Sequence, residues 1–375
     1  VSEPSPAARL QRTPLYSRHV DAGAKIVPFA GFEMPVTYGS VLAEHRAVRN
    51  SAGLFDVSHM GEVRLRGSDA NEFVQRIFSN DVAGLEAGRV RYGLICQPDG
   101  GVIDDVMLYR VAADELFVCM NASNIVHDLA WMRETHASGN FDCDLIDESE
   151  ATGLIAIQGP RALEIAERLA GPDSRVRLGR FRAVELAGIA VQVSRGGYTG
   201  ERGYELYVPT EHAAALWDAL REAGGDALVP VGLGARDTLR TEMGYALYGH
   251  ELDREHNGVE AGLSRVIAFD RDFIGCEALR AERERGPARS LVALDIEGRQ
   301  VARAGFAIHS ADEGQAAPPC GQVTSGTFGP SVERSIAIGY VPTPCAEPGT
   351  RLAVDIRGRR VACRVTTFPF FKRKA

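Results

Sequence analysis

The stretch Gly100-Gly101-Val102-Ile103-Asp104-Asp105, running into Val106-Met107-Leu108-Tyr109, decides how the rest of the chain is read. Two glycines make a tight turn, two apolar residues follow, and two adjacent acids open a run that reads as a strand. Side chains alternate across a strand, so Asp104 and Asp105 must face opposite ways. An acid beside a largely buried strand is costly unless it has a partner or a task. A hairpin turn whose aspartates cap backbone amides accounts for the stretch by itself. The alternative is that one of the two acids looks into a cavity.

Outward from the turn, residues 62–66 alternate, with Val63 and Leu65 on one face. Ser68 reads as the cap of a helix that turns Phe73, Val74, Ile77 and Phe78 inward. Strands are predicted at 92–97, 103–111 and 116–121, and a helix at 123–136 with Ile125, Leu129 and Met132 at helical spacing. A strand near Phe141 completes the order β-α-β-β-β-α-β. This resembles a ferredoxin-like split layer, with helices on one face of an antiparallel sheet.

Upstream, the Gly-, Pro- and aromatic-rich residues 28–36 read as an irregular packed segment. Residues 40–50 form a short helix with Val41, Leu42, His45 and Val48 on one side. Downstream, 153–158 is a buried strand, Gly159-Pro160 starts a helix with Leu163, Ile165 and Leu169 inward, and 183–194 is a pair of strands. After Gly196-Gly197-Tyr198-Thr199-Gly200, the residues Tyr204, Leu206 and Val208 alternate with Glu205 and Tyr207. Helices are predicted at 210–223 and 234–247, the second carrying Arg236 and Arg240 one turn apart. The charged run 280–287, closed by Gly286-Pro287, reads as a linker. Beyond it, strands at 290–296, 324–328, 337–341, 352–356 and 361–365 form an all-β domain, barrel or sandwich.

The chain has 375 residues, enough for two or three domains. Its net charge of -8 is spread along the sequence, which argues against nucleic acid as a partner. No apolar run approaches the ~20 residues that span a bilayer, so no membrane is expected. The 7 cysteines are widely spaced without a C-x-x-C, suggesting neither a disulfide framework nor zinc, and fitting a reducing cytosol. Residues 1–12 read as a flexible leader rather than a signal peptide. P-loop, dinucleotide and nucleophile-elbow motifs are all absent, and no metal cluster is apparent. What remains is a scattered set of polar residues: Asp105, Asn121 at a strand end, Glu205 in a strand, and Arg236 opening a helix. Each has a plain structural explanation, as turn, cap, exposed strand face or helix surface, and their spacing does not say that they converge.

Several motifs nevertheless occur in a set order. Thr13-Pro14-Leu15-Tyr16, Pro28-Phe29-Ala30-Gly31-Phe32-Glu33-Met34-Pro35-Val36 and Gly53-Leu54-Phe55-Asp56-Val57-Ser58-His59-Met60-Gly61-Glu62 come first. Gly100 to Asp105, Gln158-Gly159-Pro160, Gly197-Tyr198-Thr199-Gly200-Glu201 and Gly234-Ala235-Arg236-Asp237-Thr238-Leu239-Arg240 follow. In this order, from about Thr13 to the C-terminus, the chain strongly resembles the glycine cleavage system T-proteins, which are aminomethyltransferases. The resemblance implies an α+β fold, a three-domain cloverleaf with an inserted ferredoxin-like domain and a C-terminal all-β barrel or jelly roll. The implied divisions are 13–52 plus 147–280 as a split folate-binding domain, 53–146 carrying the catalytic acid, and 288–375. It further implies transfer of a one-carbon unit from the aminomethyl-dihydrolipoyl arm of a lipoylated H-protein to tetrahydrofolate, giving 5,10-methylenetetrahydrofolate and ammonia.

On the matching positions, the resemblance makes Asp105 the catalytic acid. Asn121, Glu205 and Arg236 become folate-binding, and Met60, Tyr92 and Tyr198 line the folate cavity; no metal is implied. A carboxylate such as Glu205 accepts paired N–H donors from a pterin edge, and Arg236 suits the anionic glutamyl tail. A cytoplasmic monomer is expected, loosely associated with the other glycine cleavage proteins; a mitochondrial matrix location would require a removed presequence. Two departures stand out: Arg265 occupies a position where many relatives carry Trp, and the C-terminal Lys372-Arg373-Lys374-Ala375 lacks the Tyr that some carry. The rival readings are a folate-dependent demethylase of the same superfamily and a non-catalytic folate-binding iron–sulfur assembly factor. The latter's Cys-containing signature is absent from Gly197-Tyr198-Thr199-Gly200-Glu201.

Overall fold

The computed structural model describes residues 9–170, 174–311 and 318–373. The leader expected at 1–12 lies outside the described residues as far as residue 8, as do the last two residues of the C-terminal tetrapeptide. After helix α1 (Tyr16–Asp21), the segment expected to be irregular is a hairpin of β1 (Lys25–Phe29) and β2 (Phe32–Thr37). It carries Pro28 and Pro35 because both strands of a two-stranded sheet are edges, where a missing N–H is tolerated. Helix α2 (Val41–Asn50) starts at Ser40, whose hydroxyl accepts from the Ala43 amide. It buries Glu44, His45 and Val48, whereas Leu42, predicted on that side, is exposed. Strand β3 (Ala52–Asp56) follows and is buried throughout.

The next unit contains β4 (Gly61–Arg66), α3 (Ala70–Ile77), β5 (Val90–Cys96), β6 (Val102–Ala112), β7 (Glu115–Met120), α4 (Ile125–Gly139) and β8 (Asp144–Asp147). Its strands form an antiparallel sheet in the order β5-β6-β7-β4-β8. Val63, Leu65, Val106, Leu108, Leu116 and Val118 share one face, covered by Phe73, Val74 and Ile77 of α3 and by Leu129 and Met132 of α4. In the pairing of β5 with β6, Ile95 opposes Asp104 and Cys96 opposes Val102, so Ile103 is an extra, bulged residue.

The chain then returns through β9 (Thr152–Gln158), α5 (Ala162–Glu167), β10 (Phe181–Leu186), β11 (Ile189–Ser194), β12 (Gly203–Pro209), α6 (Thr210–Gly224), β13 (Leu228–Pro230) and α7 (Leu233–Met243). A six-stranded sheet results, in the order β10-β11-β12-β9-β3-β13. One face, with Leu54, Ile155, Ile157, Leu206 and Val208, packs on Ile165 of α5 and on Leu216, Trp217 and Leu220 of α6. The other face, with Phe55, Leu154, Ala156 and Tyr207, meets Tyr109, Phe117 and Cys119 of the five-stranded sheet. The two sheets therefore lie face to face over one apolar layer. Within it the Tyr109 and Tyr207 hydroxyls are 2.7 Å apart. Helix α7 stops four residues short of the predicted end, where Gly244 takes the left-handed conformation.

A mostly irregular segment from 244 to 275 crosses the start of β6. The Val102 amide donates to Asp253 O at 2.9 Å, the Tyr248 hydroxyl donates to Val102 O at 3.1 Å, and Gly101 pairs with Asn257. This strap is why the turn needs two glycines. Gly100 has φ +91, and a Cβ on Gly101 would lie 2.1 Å from Arg254 O.

The charged run predicted as a linker is the second half of a helix, α8 (Cys276–Arg285), which turns Leu279 and Glu282 inward. Strands β14 (Arg289–Ile296), β15 (Ala307–Ser310), β16 (Gly321–Gly329), β17 (Arg334–Pro342), β18 (Arg351–Ile356) and β19 (Arg359–Thr366) then close into a barrel, β14-β17-β16-β15-β18-β19. Of the two architectures left open by the sequence, the barrel is the one formed; it leaves no sheet edge exposed. Helix α7 docks on it through the buried Arg240. That guanidinium donates to Glu251 at 2.8 Å, to Ser325 Oγ at 2.7 Å and to Asp237 at 2.9 Å. Among the described residues no helix is long and apolar enough to cross a membrane.

Candidate functional site

Alternation along β6 separates the two acids as expected. Asp104 lies on the helix-covered face with Val106 and Leu108, while Asp105 shares the inter-sheet face with Tyr109. Asp105 Oδ2 accepts from the Tyr92 hydroxyl at 3.0 Å, and Oδ1 accepts from Asn121 Nδ2 at 3.0 Å. Asn121 follows β7 and does not cap α4 with its side chain. The same Nδ2 donates to Asp104 Oδ1 at 2.8 Å and to the Asp105 carbonyl at 3.0 Å. One amide thus ties the two acids together across the strand.

The opposite wall comes from the six-stranded sheet and α7. Glu205 points with Tyr207 into the space between the sheets, not to solvent. Tyr198, in the glycine-rich turn, lies under the Arg236 guanidinium, 4.7 Å from ring centroid to cation, and stacks on Tyr245 at 5.7 Å. Its hydroxyl donates to the Ala246 carbonyl. The turn itself is pinned from two sides. Thr199 Oγ1 donates to Gln158 at 2.9 Å, and Arg49 donates to the Thr199 carbonyl at 2.7 Å and to Glu201 at 2.9 Å. Met60 packs, partly buried, against the inter-sheet apolar layer.

Asp105, Asn121, Tyr92, Tyr198, Glu205 and Arg236 are each only partly accessible. Burial is nevertheless the largest influence on every titrating member. It pushes Asp105 well above the usual carboxylate range, aided by the Asp104 charge and opposed by the Tyr92 and Asn121 hydrogen bonds. It raises Glu205, against the pull of Arg236, and raises Tyr92 and Tyr198. It lowers Arg236, which Tyr198 and Glu205 partly restore. Side chains on two facing walls that keep a little water contact yet are dominated by desolvation mark out a partly enclosed recess between them. Among the described residues the Glu205 carboxylate accepts no hydrogen bond and the Arg236 guanidinium donates none. No group of three or more His, Cys, Asp or Glu there is placed to hold a metal ion.

The sequence profile of the GCVT N-terminal domain matches residues 15–271, and that of the glycine cleavage T-protein C-terminal barrel domain matches residues 289–372. The chain belongs to the glycine cleavage T-protein family. It is 45% identical over 371 residues to an aminomethyltransferase of Symbiobacterium thermophilum, covering 97% of this chain and 98% of that one. It is 43% identical over 368 residues to one from Prosthecochloris aestuarii, covering 97% and 100%. The crystal structure of the glycine cleavage system aminomethyltransferase T from Bartonella henselae superposes with a TM-score of 0.90 at 33% identity, covering 97% of this chain and 99% of that one.

In this T-protein family member the sequence reading passed over several buried polar groups around the recess. His59 has an unpartnered Nδ1, stands edge-on to Phe29, and is lowered to about 4 by burial against the pull of Asp56, with Arg236 adding to the lowering. Glu62 opposes Cys119 on the inter-sheet face, and burial raises it well above the carboxylate range. Asp128 lies beneath Asp104 with neither oxygen receiving a donor. The sequence holds a signal for this last residue. Asp128 falls within the apolar stripe Ile125, Leu129, Met132, where an acid is out of place.

Proposed function

We propose that the recess binds tetrahydrofolate and receives the aminomethyl-loaded lipoyl arm of an H-protein, and that this chain transfers the carbon between them. The carrying observation is the pair Glu205 and Arg236, each without a hydrogen-bond partner among the described residues, in a recess whose third polar group is an acid held at both oxygens. A buried carboxylate and a buried guanidinium left unmatched are costly alone, and are satisfied by a ligand that offers N–H donors and an anionic group. Tetrahydrofolate has both: pterin N–H groups for Glu205 and glutamyl carboxylates for Arg236. Tyr92, Tyr198 and Met60 supply the apolar wall. We assign residues 13–52 with 147–280 to folate binding, 53–146 to carrying the acid, and 288–375 to the barrel.

The reaction breaks the C–S and C–N bonds of the aminomethyl group and forms two C–N bonds to folate nitrogens. The two folate hydrogens balance those gained by ammonia and the released thiol, so no oxidant is needed. Asp105, whose protonated form is favoured by burial and by the Asp104 charge, gives its proton to the departing nitrogen. The carboxylate left behind is stabilised by Tyr92 and Asn121, which already point at its two oxygens. It regains a proton as a folate nitrogen loses one. The rigid sheets hold this acid in place while two large reactants are brought together.

The test is formation of methylenetetrahydrofolate and ammonia by purified protein from aminomethyl-loaded, lipoylated H-protein. Product should require both folate and the lipoyl arm. Methyl transfer from a small amine without H-protein would sink the reading.

A further inference from the structure

Behind the acid that faces the recess stands a second, hidden acid pair. Asp104 is fully buried, and its oxygens accept from the Asn121 amide at 2.9 Å, Asn121 Nδ2 at 2.8 Å and Asn124 Nδ2 at 2.7 Å. Asp128, on the inner face of α4, is 1% exposed, and among the described residues neither of its oxygens meets a donor. Its carboxyl abuts that of Asp104. The other charged or titratable groups facing it are Asp105 from β6 and Arg254 and Tyr248 from the strap. Two touching carboxyls in such a place do not both ionise. The three donors on Asp104 favour the anion there, so the proton belongs on Asp128, where burial and the Asp104 charge hold the group up at about 10.

We propose that Asp128 is a positioning residue for the transfer: a neutral acid that donates its proton to Asp104, fixes one negative charge behind the sheet and, through the shared amide of Asn121, sets the charge and aim of Asp105. The proposal rests on Asp105 serving the reaction. It accounts for why an acid occupies an apolar stripe and for why one asparagine side chain spans both aspartates. Asp128–Asp104–Asn121–Asp105 is then a continuous line of hydrogen bonds from helix α4 to the recess.

Two substitutions separate this from mere packing. In Asp128→Asn the amide still donates to Asp104, so kcat, its pH profile and the folate KM should stay within about threefold of the parent. In Asp128→Leu the donor is lost and Asp104 is less stable as an anion. Negative charge then moves toward Asp105, so the ionisation governing kcat should shift to lower pH, with kcat falling about tenfold or more at unchanged folate KM. A direct readout, independent of activity, is infrared difference spectroscopy at neutral pH. The carbonyl band of protonated carboxyls in the parent should lose one component in Asp128→Asn, that of Asp128, while those of Asp105 and Glu62 remain. Equal impairment in both variants, a pH profile unmoved in Asp128→Leu, or an undiminished carbonyl band in Asp128→Asn overturns the proposal. If the leucine variant fails to fold by circular dichroism, the band in the asparagine variant still decides. Should the parent lack aminomethyl transfer altogether, the reading of the recess falls while the infrared result still judges Asp128.

Discussion

Replacing Asp105 with Asn removes an ionisable proton and almost no volume. At present one oxygen accepts from Asn121 and the other from Tyr92, both at 3.0 Å. An asparagine keeps one acceptor, and the Tyr92 hydroxyl can rotate to accept from its NH2. Orientation therefore survives at a cost of about 1 kcal/mol, roughly fivefold in folate Kd. Proton movement does not survive, and general acid–base catalysis contributes ~10²–10⁴-fold, or about 3–5.5 kcal/mol of barrier. Single-turnover assays with loaded H-protein should show kcat reduced by that factor, while a folate-binding titration shows a Kd shift of about fivefold or less. Turnover kept within about tenfold of the parent, or an equal loss in binding, would refute the role.

Asp104→Asn is the contrasting case. Three donors converge on Asp104, so an amide there turns its NH2 against a buried N–H, costing about 1–3 kcal/mol of stability with a smaller loss of turnover. The Asp105 substitution also carries a pH signature. The carboxyl is raised in the fold. Its contribution to stability is therefore complete below its unfolded value of about 3.9 and is lost as pH rises through the higher folded value. Asn does not ionise, so the variant should gain stability relative to the parent as pH rises above the unfolded value of about 3.9, read as urea midpoints.

Three further outcomes follow from the geometry. Glu205→Gln, by losing a charged acceptor, should weaken folate binding by about 1.5–3 kcal/mol with kcat little changed at saturation, read by calorimetric titration; a shift of less than about threefold removes Glu205 from the folate contacts. Gly101→Ala drives a Cβ to within 2.1 Å of the Arg254 carbonyl, so strap and turn must part. A destabilisation of about 1–3 kcal/mol is expected in urea unfolding, with activity reduced because the acids follow that turn directly; an unchanged midpoint would mean the strap gives way freely. Arg240→Met leaves the buried Glu251 without its cation and should cost about 3–5 kcal/mol in urea unfolding. Adding Glu251→Gln should recover part of the loss, and failure to do so would show that the pair is not the source.

Alternation along β6 is legible because a buried strand obeys a period of two, so the opposite facing of Asp104 and Asp105 follows from the sequence alone. Which of them looks into a cavity does not, because that depends on the six-stranded sheet lying over one face. The same covering hides Glu62. On its own strand it reads as solvent-facing opposite Val63 and Leu65, yet a second sheet takes the place of solvent. The bulge at Ile103 has no composition signal. Helix α8 was missed because charge at Arg280, Glu282 and Arg283 resembles a linker when Leu279 and Cys276 are not weighed as an inner face. The hairpin at 25–37 was missed because its prolines, unfavourable in a central strand, are harmless at an edge. Glu205 and Arg236 could be named only by resemblance, since they come from different elements and meet through tertiary packing alone.

The strap across Gly100 and Gly101 has a consequence for how the protein is made. A ribosome releases the chain from its N-terminus, so the ferredoxin-like unit emerges whole while the residues that pin its turn, Asp253 to Asn257, have yet to be synthesised. Until they arrive, the Val102 amide lacks the carbonyls of Asp253 and His256, and the acid-bearing strand is held at its start only by the turn to Gln97 and by Cys96. A nascent chain halted before Asn257 would hold Asp105, Asn121 and Tyr92 on strands already paired, with the turn in front of the acids lacking its second side. The turn in front of the acids is thus completed late in translation, when the strap that crosses it is made.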